Sequence, residues 1–519
     1  MQLTQTLHSA ADTRPDHLAT VDGDRRKSWA ELRERIARLA GALQALGVEA
    51  GDRVAILALN TDRYTEYMFA VWWAGGAVVP MNTRWSAAEN VYSLNDSQTT
   101  ILFVDRHFAA MIGDIRDQAE TVSTIIHLEE EDVPEGMLSF EQLIADHDPC
   151  PDACRSGEDL AGLFYTGGTT GFPKGVMVPQ RALWYNNIAL AGMAGFTSDS
   201  VYQHTAPMFH MADIACGGAV MMAGGTHIYV PSFEPVSILS AIEANQVTHV
   251  LLVPTMLGMM LQHPEFDVTK LRSMTHYLYG ASPMPEGLLR HAMALLPEVK
   301  FAQAYGQTEM APLVSILNSV DHVLEGEKAK QIRSAGRPAW GCEVKIIDEQ
   351  GKPVPRGTVG EIAARSPGNM LGYWKQQKQT ASTLVDGWVH TGDGAYQDKD
   401  GFLYIVDRMK DMIVSGGENV FSAEVESAIS THPDVAAVAV VGIPSEQWGE
   451  SVHAIVIPKD NTTPDAQSII SHCKDQIAGY KCPRSIDFRN EPFPLSGAGK
   501  VLKRELRAPY WEGQERSVN

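Results

Sequence analysis

The sequence predicts an α/β protein: a large N-terminal domain of helix-wrapped sheets with a small β-rich subdomain, then a smaller α+β C-terminal domain. Three observations predict it. Apolar runs of strand length alternate with segments of helical spacing through most of the chain. From about residue 331 the pattern changes to short alternating runs broken by Gly and Pro. After Asp407 the tail has an α/β rhythm of its own. These changes place the large domain at 1–407, its β-rich subdomain at about 331–407 and the smaller domain at 408–519.

In chain order, the segment 53–80 reads strand, helix, strand: RVAILAL is a continuous apolar run, TDRYTEYMFAVWWAGG has helical spacing, and AVVPMN closes it. TTILFVD and STIIHL repeat the short buried-strand signal. PVSILSAIEANQ is helical and leads into the strand VTHVLLVP, and MTHYLYG is a further strand. Strands alternating with helices predict parallel sheets covered on both faces. The segments VKIIDEQGKPVPRGTVGEIAARS and DGWVHTGDGAYQDKDGFLYIVD read as the β-rich subdomain. In the tail, SAEVESAISTHP is a helix opened by Ser422, VAAVAVVGIP and SVHAIVIP are strands, and AQSIISHCKDQIA is a second helix.

At 519 residues, and about 150 per domain, the chain holds three or four structural units around a sizeable core. Its 44% hydrophobic and 20% charged residues exclude wholesale disorder. The net charge of −21 argues against broad nucleic-acid binding and against docking on anionic lipid. A small anionic ligand stays compatible, because a site can be locally positive within an acidic protein. No apolar run reaches the roughly 18 to 20 residues that cross a bilayer, and the opening MQLTQTLHSAADTRPDH has no signal-peptide pattern. The expectation is a soluble cytoplasmic protein without an integral membrane segment; a homodimer is allowed but not specified. Six cysteines do not form a disulfide framework, and Cys150 and Cys154 have no matching Cys/His pair for zinc.

The most informative stretch is YTGGTTGFPKGVMV at 165–178. Gly167, Gly168, Gly171 and Gly175 let the backbone turn its N–H groups toward an anion. Thr166, Thr169 and Thr170 add hydroxyls, and Lys174 adds a flexible positive charge. Pro173 and Gly175 flank that lysine, so the segment is not a Walker A loop. Alone, it reads either as a phosphate-binding loop or as a Gly/Thr-rich turn.

The segment resembles the phosphate loop of adenylate-forming enzymes, the superfamily of acyl-CoA synthetases, peptide-synthetase adenylation domains and beetle luciferases. Four more resemblances follow in order: AYGQTEM at 304–310 to the adenine and magnesium segment, HTGDGAY at 390–396 to the ribose segment, DRMKDMIVSGGENVFSAEVE at 407–426 to the hinge, and GAGKVLKRELR at 497–507 to the catalytic-lysine loop. The resemblance implies a two-step reaction: a carboxylate attacks the α-phosphate of ATP, and a thiol then displaces AMP. It implies that Lys500 bridges the carboxylate and the α-phosphate, that Glu309 and Thr166 hold Mg2+, and that Thr308 touches the α-phosphate. Asp393 and Arg408 would bind the ribose; Gly280, Ala281, Ala304, Tyr305 and Gly306 would frame the adenine. Lys410 falls at the hinge of a mobile C-terminal domain, and Ser415, Gly416 and Gly417 on the face that approaches coenzyme A.

PMFHMAD at 207–213 resembles the segment lining the acyl site. A lone His in an apolar run is usually packed, but here the resemblance puts His210 near the reacting carboxylate or the entrance for the alkyl group. Met211 stands where amino-acid-activating relatives place an Asp, which disfavours an amino-acid substrate, although Asp213 lies nearby. Tyr279, Gly280, Gly306, Met310 and Ala311 would complete the wall. The Met-rich stretches MMAGG and PTMLGMMLQ read as ordinary core more than as a deformable pocket. With no cation evident for a second carboxylate, the expected substrate is a hydrophobic monocarboxylic acid, fatty or aryl, joined to coenzyme A at the expense of ATP. Loading of a phosphopantetheine carrier protein is the alternative, and a luciferase-like monooxygenase the remote one.

Overall fold

The structure is a computed structural model that describes residues 1–130, 132–166, 173–282, 284–408, 411–416, 418–460, 462–496 and 501–512, with the backbone alone at Asp407, Arg408 and Asn419. Among these residues the chain forms four sheets. The eight-stranded sheet runs Gly372–Tyr373, Lys174–Pro179, Leu160–Thr166, Ala77–Pro80, Arg53–Leu57, Ile101–Val104, Thr124–His127, Leu138–Ser139. The nine-stranded sheet runs Arg337–Pro338, Leu313–Leu317, Lys300–Gly306, His276–Gly280, His249–Leu251, Val201–His204, Thr226–Tyr229, Leu18–Asp22, Arg25–Ser28. A five-stranded sheet over residues 343–408 is the β-rich subdomain. A second five-stranded sheet, over 413–488, carries the helices Ser422–Ser430 and Ala466–Lys474.

The strand–helix alternation gives parallel pairing where helices intervene, as between Arg53–Leu57 and both of its neighbours. Both large sheets are nevertheless mixed. Leu160–Thr166 and Lys174–Pro179 pair antiparallel, as do Lys300–Gly306 and Leu313–Leu317. The connection in each is too short for a crossover, so the chain can only fold straight back. These two returns bracket the two segments of greatest chemical interest.

Between the sheets lies the helix Asp62–Ala74, every residue of which is buried. It sits in one apolar cluster with Val54, Val78 and Val176 of the eight-stranded sheet and with Ala19 and Tyr229 of the nine-stranded one. Its charged residues are therefore paired. Asp62 accepts from Lys27 and, at 2.9 Å, from Arg25. Glu66 takes a two-pronged bond from Arg35 at 2.7 and 3.0 Å, and Arg63 reaches Glu141 at 3.0 Å. Burial alone would raise the Asp62 pKa, but Lys27 and Arg25 outweigh it and hold the carboxyl well below the ordinary range. No helix among the described residues is long and apolar enough to cross a membrane.

Removing one partner of a buried ion pair leaves the other charged and unsolvated. Asp62→Ala should thus destabilise the large domain by about 3–5 kcal/mol in denaturant unfolding. Because the folded carboxyl has the lower pKa, its contribution is complete above the ordinary carboxylate range and fades as pH falls below it. The difference between parent and variant should shrink in acid.

Candidate active site

Gly167, Gly168, Thr169, Thr170, Gly171, Lys410, Gly417 and Lys500 lie outside the described residues, as does the Arg408 side chain. The strands Leu160–Thr166 and Lys174–Pro179 bring Thr166 and Lys174 directly opposite each other, so these two half-buried residues form the stem of the glycine-rich loop. Tyr165, beside Thr166, donates to Asp96 at 2.7 Å. The Lys174 ammonium lies 5.2 Å from the centre of the Tyr373 ring.

From the other sheet, the strand Lys300–Gly306 carries Ala304, Tyr305 and Gly306 to its C-terminal end, the end at which parallel α/β sheets bind ligands. Gly280 pairs with Ala304, and a Cβ at 280 would lie 2.2 Å from the Ala304 carbonyl oxygen. After Gly306 the chain makes a single helical turn, Thr308–Met310, closed by Ala311 in the left-handed region at φ 62°. Gln307 N–H donates to Pro312 at 2.9 Å, and Ala311 N–H to Thr308 at 3.1 Å. The turn projects Thr308 and Glu309, both half-buried, while Met310 and Ala311 are fully buried. Glu309 is held twice: its carbonyl accepts from Met370 N–H at 2.9 Å, and its Oε1 accepts from the Tyr373 hydroxyl at 2.7 Å.

A third sheet supplies Asp393, on the strand Trp388–Gln397 and opposite Arg408 in the ladder. Gly392, at φ 71°, donates its N–H to Glu361 at 2.8 Å, which fixes the backbone just ahead of Asp393. Asp393 is buried, and its Oδ2 accepts from the Tyr305 hydroxyl at 2.7 Å. Tyr305 and Asp393, 88 residues apart in sequence, are thus joined.

His210 caps the helix Met211–Ala223, its Nδ1 accepting from Ala212 N–H at 3.2 Å. Met211 is buried in the inter-sheet core. Asp213 is buried as well, with one oxygen taken by Tyr202 at 2.8 Å and the other by His204 at 2.6 Å, so it offers nothing to an amino group. Tyr279 is fully buried beside Tyr277 and Phe301, its hydroxyl 2.8 Å from His322 Nε2. Of the Met-rich stretches, Met221, Met256 and Met260 are core and Met259 is exposed.

In the C-terminal sheet Ser415 is buried and Gly416 stands at φ 64°, donating its N–H to the Trp448 carbonyl at 2.8 Å. The Trp448 indole packs on Gly416, and the Arg484 guanidinium lies 4.4 Å from its ring. Sequence reasoning singled out neither Trp448 nor Tyr373, because the partners of each lie far away in the chain.

A Cβ at Gly306 would lie 1.7 Å from the Pro312 carbonyl oxygen, so any side chain there must force open the turn that carries Thr308 and Glu309. Gly306→Ala should cost about 1–3 kcal/mol in unfolding experiments. It should also reduce ATP–pyrophosphate exchange at least about tenfold, the equivalent of 1.4 kcal/mol.

Two family models match the chain: "AMP-binding enzyme" over residues 7–374 and "AMP-binding enzyme C-terminal domain" over 424–500. A feruloyl-CoA synthase of Amycolatopsis sp. is 38% identical over 500 residues, covering 96% of each chain. A fatty acid–[acyl-carrier-protein] ligase, ScoC of Streptomyces coeruleorubidus, is 34% identical over 521 residues, covering 100% of this chain and 98% of its own. Among solved structures, the anthranilate CoA ligase AuaEII in complex with anthranoyl-AMP superposes with a TM-score of 0.90 at 25% identity, over 98% of this chain and 97% of that one. From its matches along nearly the whole length, this chain is a member of the AMP-binding enzyme family.

Proposed function

We propose that the protein is an ATP-dependent acyl-CoA ligase. It converts a hydrophobic monocarboxylic acid to its acyl adenylate with release of pyrophosphate, then passes the acyl group to coenzyme A with release of AMP. The observation that carries the reading is the convergence of Glu309, Lys174 and Thr166 with Asp393 and Tyr305, from three sheets, through the Tyr373–Glu309 and Tyr305–Asp393 bonds. The division at 407 and 408 and the cytoplasmic setting belong to the same reading.

The first step brings an anion to a polyanion, so its barrier is set by charge. In this reading Lys174 and the 167–171 loop hold the β- and γ-phosphates, and Lys500 neutralises the oxygens shared by the attacking carboxylate and the α-phosphate. Thr308 donates to the α-phosphate. Asp393, already positioned by Tyr305, accepts from the ribose hydroxyls, and Arg408 reaches the same sugar. Gly280 and Gly306 let the backbone close on Ala304 and Pro312, and in this reading that close packing shapes the wall beside the adenine and acyl groups.

Glu309 and Thr166 present carboxylate and hydroxyl oxygens, the donors a hard divalent cation takes beside substrate phosphates. Glu309 Oε1 is occupied by Tyr373, and its Oε2 accepts no hydrogen bond from a described residue, so the donor set fits Mg2+. When bound, the ion supplies charge neutralisation on the departing pyrophosphate.

For the thiol step, Ser415 and Gly416 lie beside the Trp448 indole and the Arg484 guanidinium. That is a pairing of aromatic face and cation suited to an adenine bearing phosphates. His210 stands at the head of the acyl wall. The relatives named for feruloyl and fatty acyl groups support an apolar acid, and ScoC supports carrier loading as the second reading.

Two experiments test this. Pyrophosphate release should be measured across acids from acetate to palmitate, with benzoate, cinnamates and amino acids, in the presence and absence of coenzyme A. An apolar acid should give fast release, and its CoA thioester should form when coenzyme A is added. Release without thioester would instead favour a carrier protein as acceptor. Lys500→Ala should slow adenylation about 100- to 1000-fold, as the loss of one oxyanion donor does, while thioester formation from supplied acyl adenylate stays near normal. Equal loss in both half-reactions would remove Lys500 from its assigned role.

A further inference from the structure

In the scheme above Tyr373 binds no substrate, yet it touches two of the groups that do. The residue is 6% exposed. Its short strand, Gly372–Tyr373, pairs antiparallel with Lys174–Pro179, with Tyr373 opposite Val176. It therefore belongs to the eight-stranded sheet and to the stem of the glycine-rich loop. Its N–H donates to Thr380 Oγ1 at 2.9 Å, which fixes the backbone. Glu309 comes from the turn that follows Lys300–Gly306 in the nine-stranded sheet. The 2.7 Å bond from the Tyr373 hydroxyl to Glu309 Oε1 therefore crosses from one large sheet to the other. On the ring itself rests the Lys174 ammonium, at 5.2 Å.

A glutamate on a one-turn helix has three free torsions, and nothing in its own segment decides which way its carboxylate turns. Met370 N–H binds only the Glu309 carbonyl, which fixes the main chain and leaves the side chain undecided. The Tyr373 hydroxyl supplies the missing constraint on that side chain. We propose that Tyr373 is the positioning residue for Glu309: it holds Oε1 so that Oε2 is presented to the divalent cation, and it sets the spacing between that carboxylate and the Lys174 ammonium. The inference rests on the reading of Glu309 as a metal ligand.

The test is Mn2+ binding to the full-length protein with a non-hydrolysable ATP analogue, followed by the EPR signal of free Mn2+ and compared between the parent, Tyr373→Phe, Glu309→Gln and the double variant. Phenylalanine keeps the ring, its packing and the seat for Lys174, and removes only the hydroxyl. Tyr373→Phe should weaken Mn2+ binding about tenfold, as expected for a lost hydrogen bond to a charged group. It should leave the thermal midpoint of the metal-free protein unchanged and add no further loss in the Glu309→Gln background. In turnover, the Mg2+ concentration for half-maximal pyrophosphate release should rise by the same factor, with a smaller change in the rate at saturating Mg2+.

Mn2+ affinity in Tyr373→Phe equal to that of the parent overturns the inference. So do losses that multiply in the double variant, since the two residues would then act separately. Loss of the fold in Tyr373→Phe assigns the residue to the core and overturns it as well. Unchanged Mn2+ binding in Glu309→Gln is a different failure: it removes the metal reading of Glu309 on which the inference stands.

Discussion

The relative position of the two large sheets is the constraint on which the rest of the molecule depends, and it is set by what is packed between them. The helix Asp62–Ala74 and the helix Met211–Ala223 both contribute to the apolar cluster that spans the gap. The second is pinned at its first turn, where Asp213 accepts from Tyr202 and bonds His204, both on the strand Val201–His204. Its middle is drawn against the helix Gln180–Ala194, so close that a Cβ at Gly218 would lie 2.2 Å from Asn187 Oδ1. A helix held at one end by a buried polar cluster and along its length by close packing has no freedom to slide. His210, its cap, is therefore placed by the core and not by the cleft. The same holds for Glu309 and Lys174, which both meet Tyr373, one at its hydroxyl and one over its ring, because the packing holds their two sheets together.

Much of this was legible in the sequence because it is local. Buried strands read as continuous apolar runs and buried helices as periodic ones, so the units at 53–80 and 235–280 could be drawn directly. The glycine-rich loop stem, the Thr308–Glu309 turn and the segment around Asp393 are each contained in a few residues. What could not be read is what depends on distant partners. Tyr373 stands 64 residues from Glu309, and no local pattern marks a tyrosine whose hydroxyl will cross between sheets. The acyl wall shows the same limit. Alternation along His276–Gly280 turns Tyr277 and Tyr279 into one apolar cluster, so Tyr279 is core. Asp213 shows it too, since only its partners on a neighbouring strand reveal a residue already committed.

The electrostatics follow from scale. A chain of net charge −21 has to receive a polyanion, but at physiological ionic strength exposed charges beyond about 8 Å are largely screened. What the phosphates meet is decided by the few groups within the cleft. Two of those, Glu309 and Asp393, are themselves acidic, and carboxylates facing an anion are tolerated only with a task that uses their negative charge. Asp393 has acquired a donor, Tyr305, and accepts hydroxyls in the proposed scheme. For Glu309 the one hydrogen-bond donor to its carboxylate among the described residues is a neutral hydroxyl at Oε1, which does not balance the charge; in the proposed scheme a divalent cation would. The same reasoning assigns the two carboxylates different work although both lie in one cleft.

In the proposed scheme the two half-reactions set opposite demands on the C-terminal sheet, and one contact bears on both. Leu495 bridges Val501, closing the base of the segment that carries Lys500. The Arg84 guanidinium donates to the Ser496 carbonyl at 2.8 Å, tying that base to the loop between Ala77–Pro80 and the helix Ala87–Ser97. Ala77–Pro80 is the parallel neighbour of Leu160–Thr166, whose end opens into the glycine-rich loop, so the tie lies on the rim where the phosphates would be held. Arg84 is exposed, and an exposed hydrogen bond of this kind contributes about 0.5–1.5 kcal/mol. That is enough to bias an orientation and far below the barrier of a chemical step. An apolar seam between the domains would hold the lysine in place too firmly to make way for the thiol. In the proposed scheme a small polar tie would favour the arrangement needed for adenylation and would be broken once the acyl adenylate has formed.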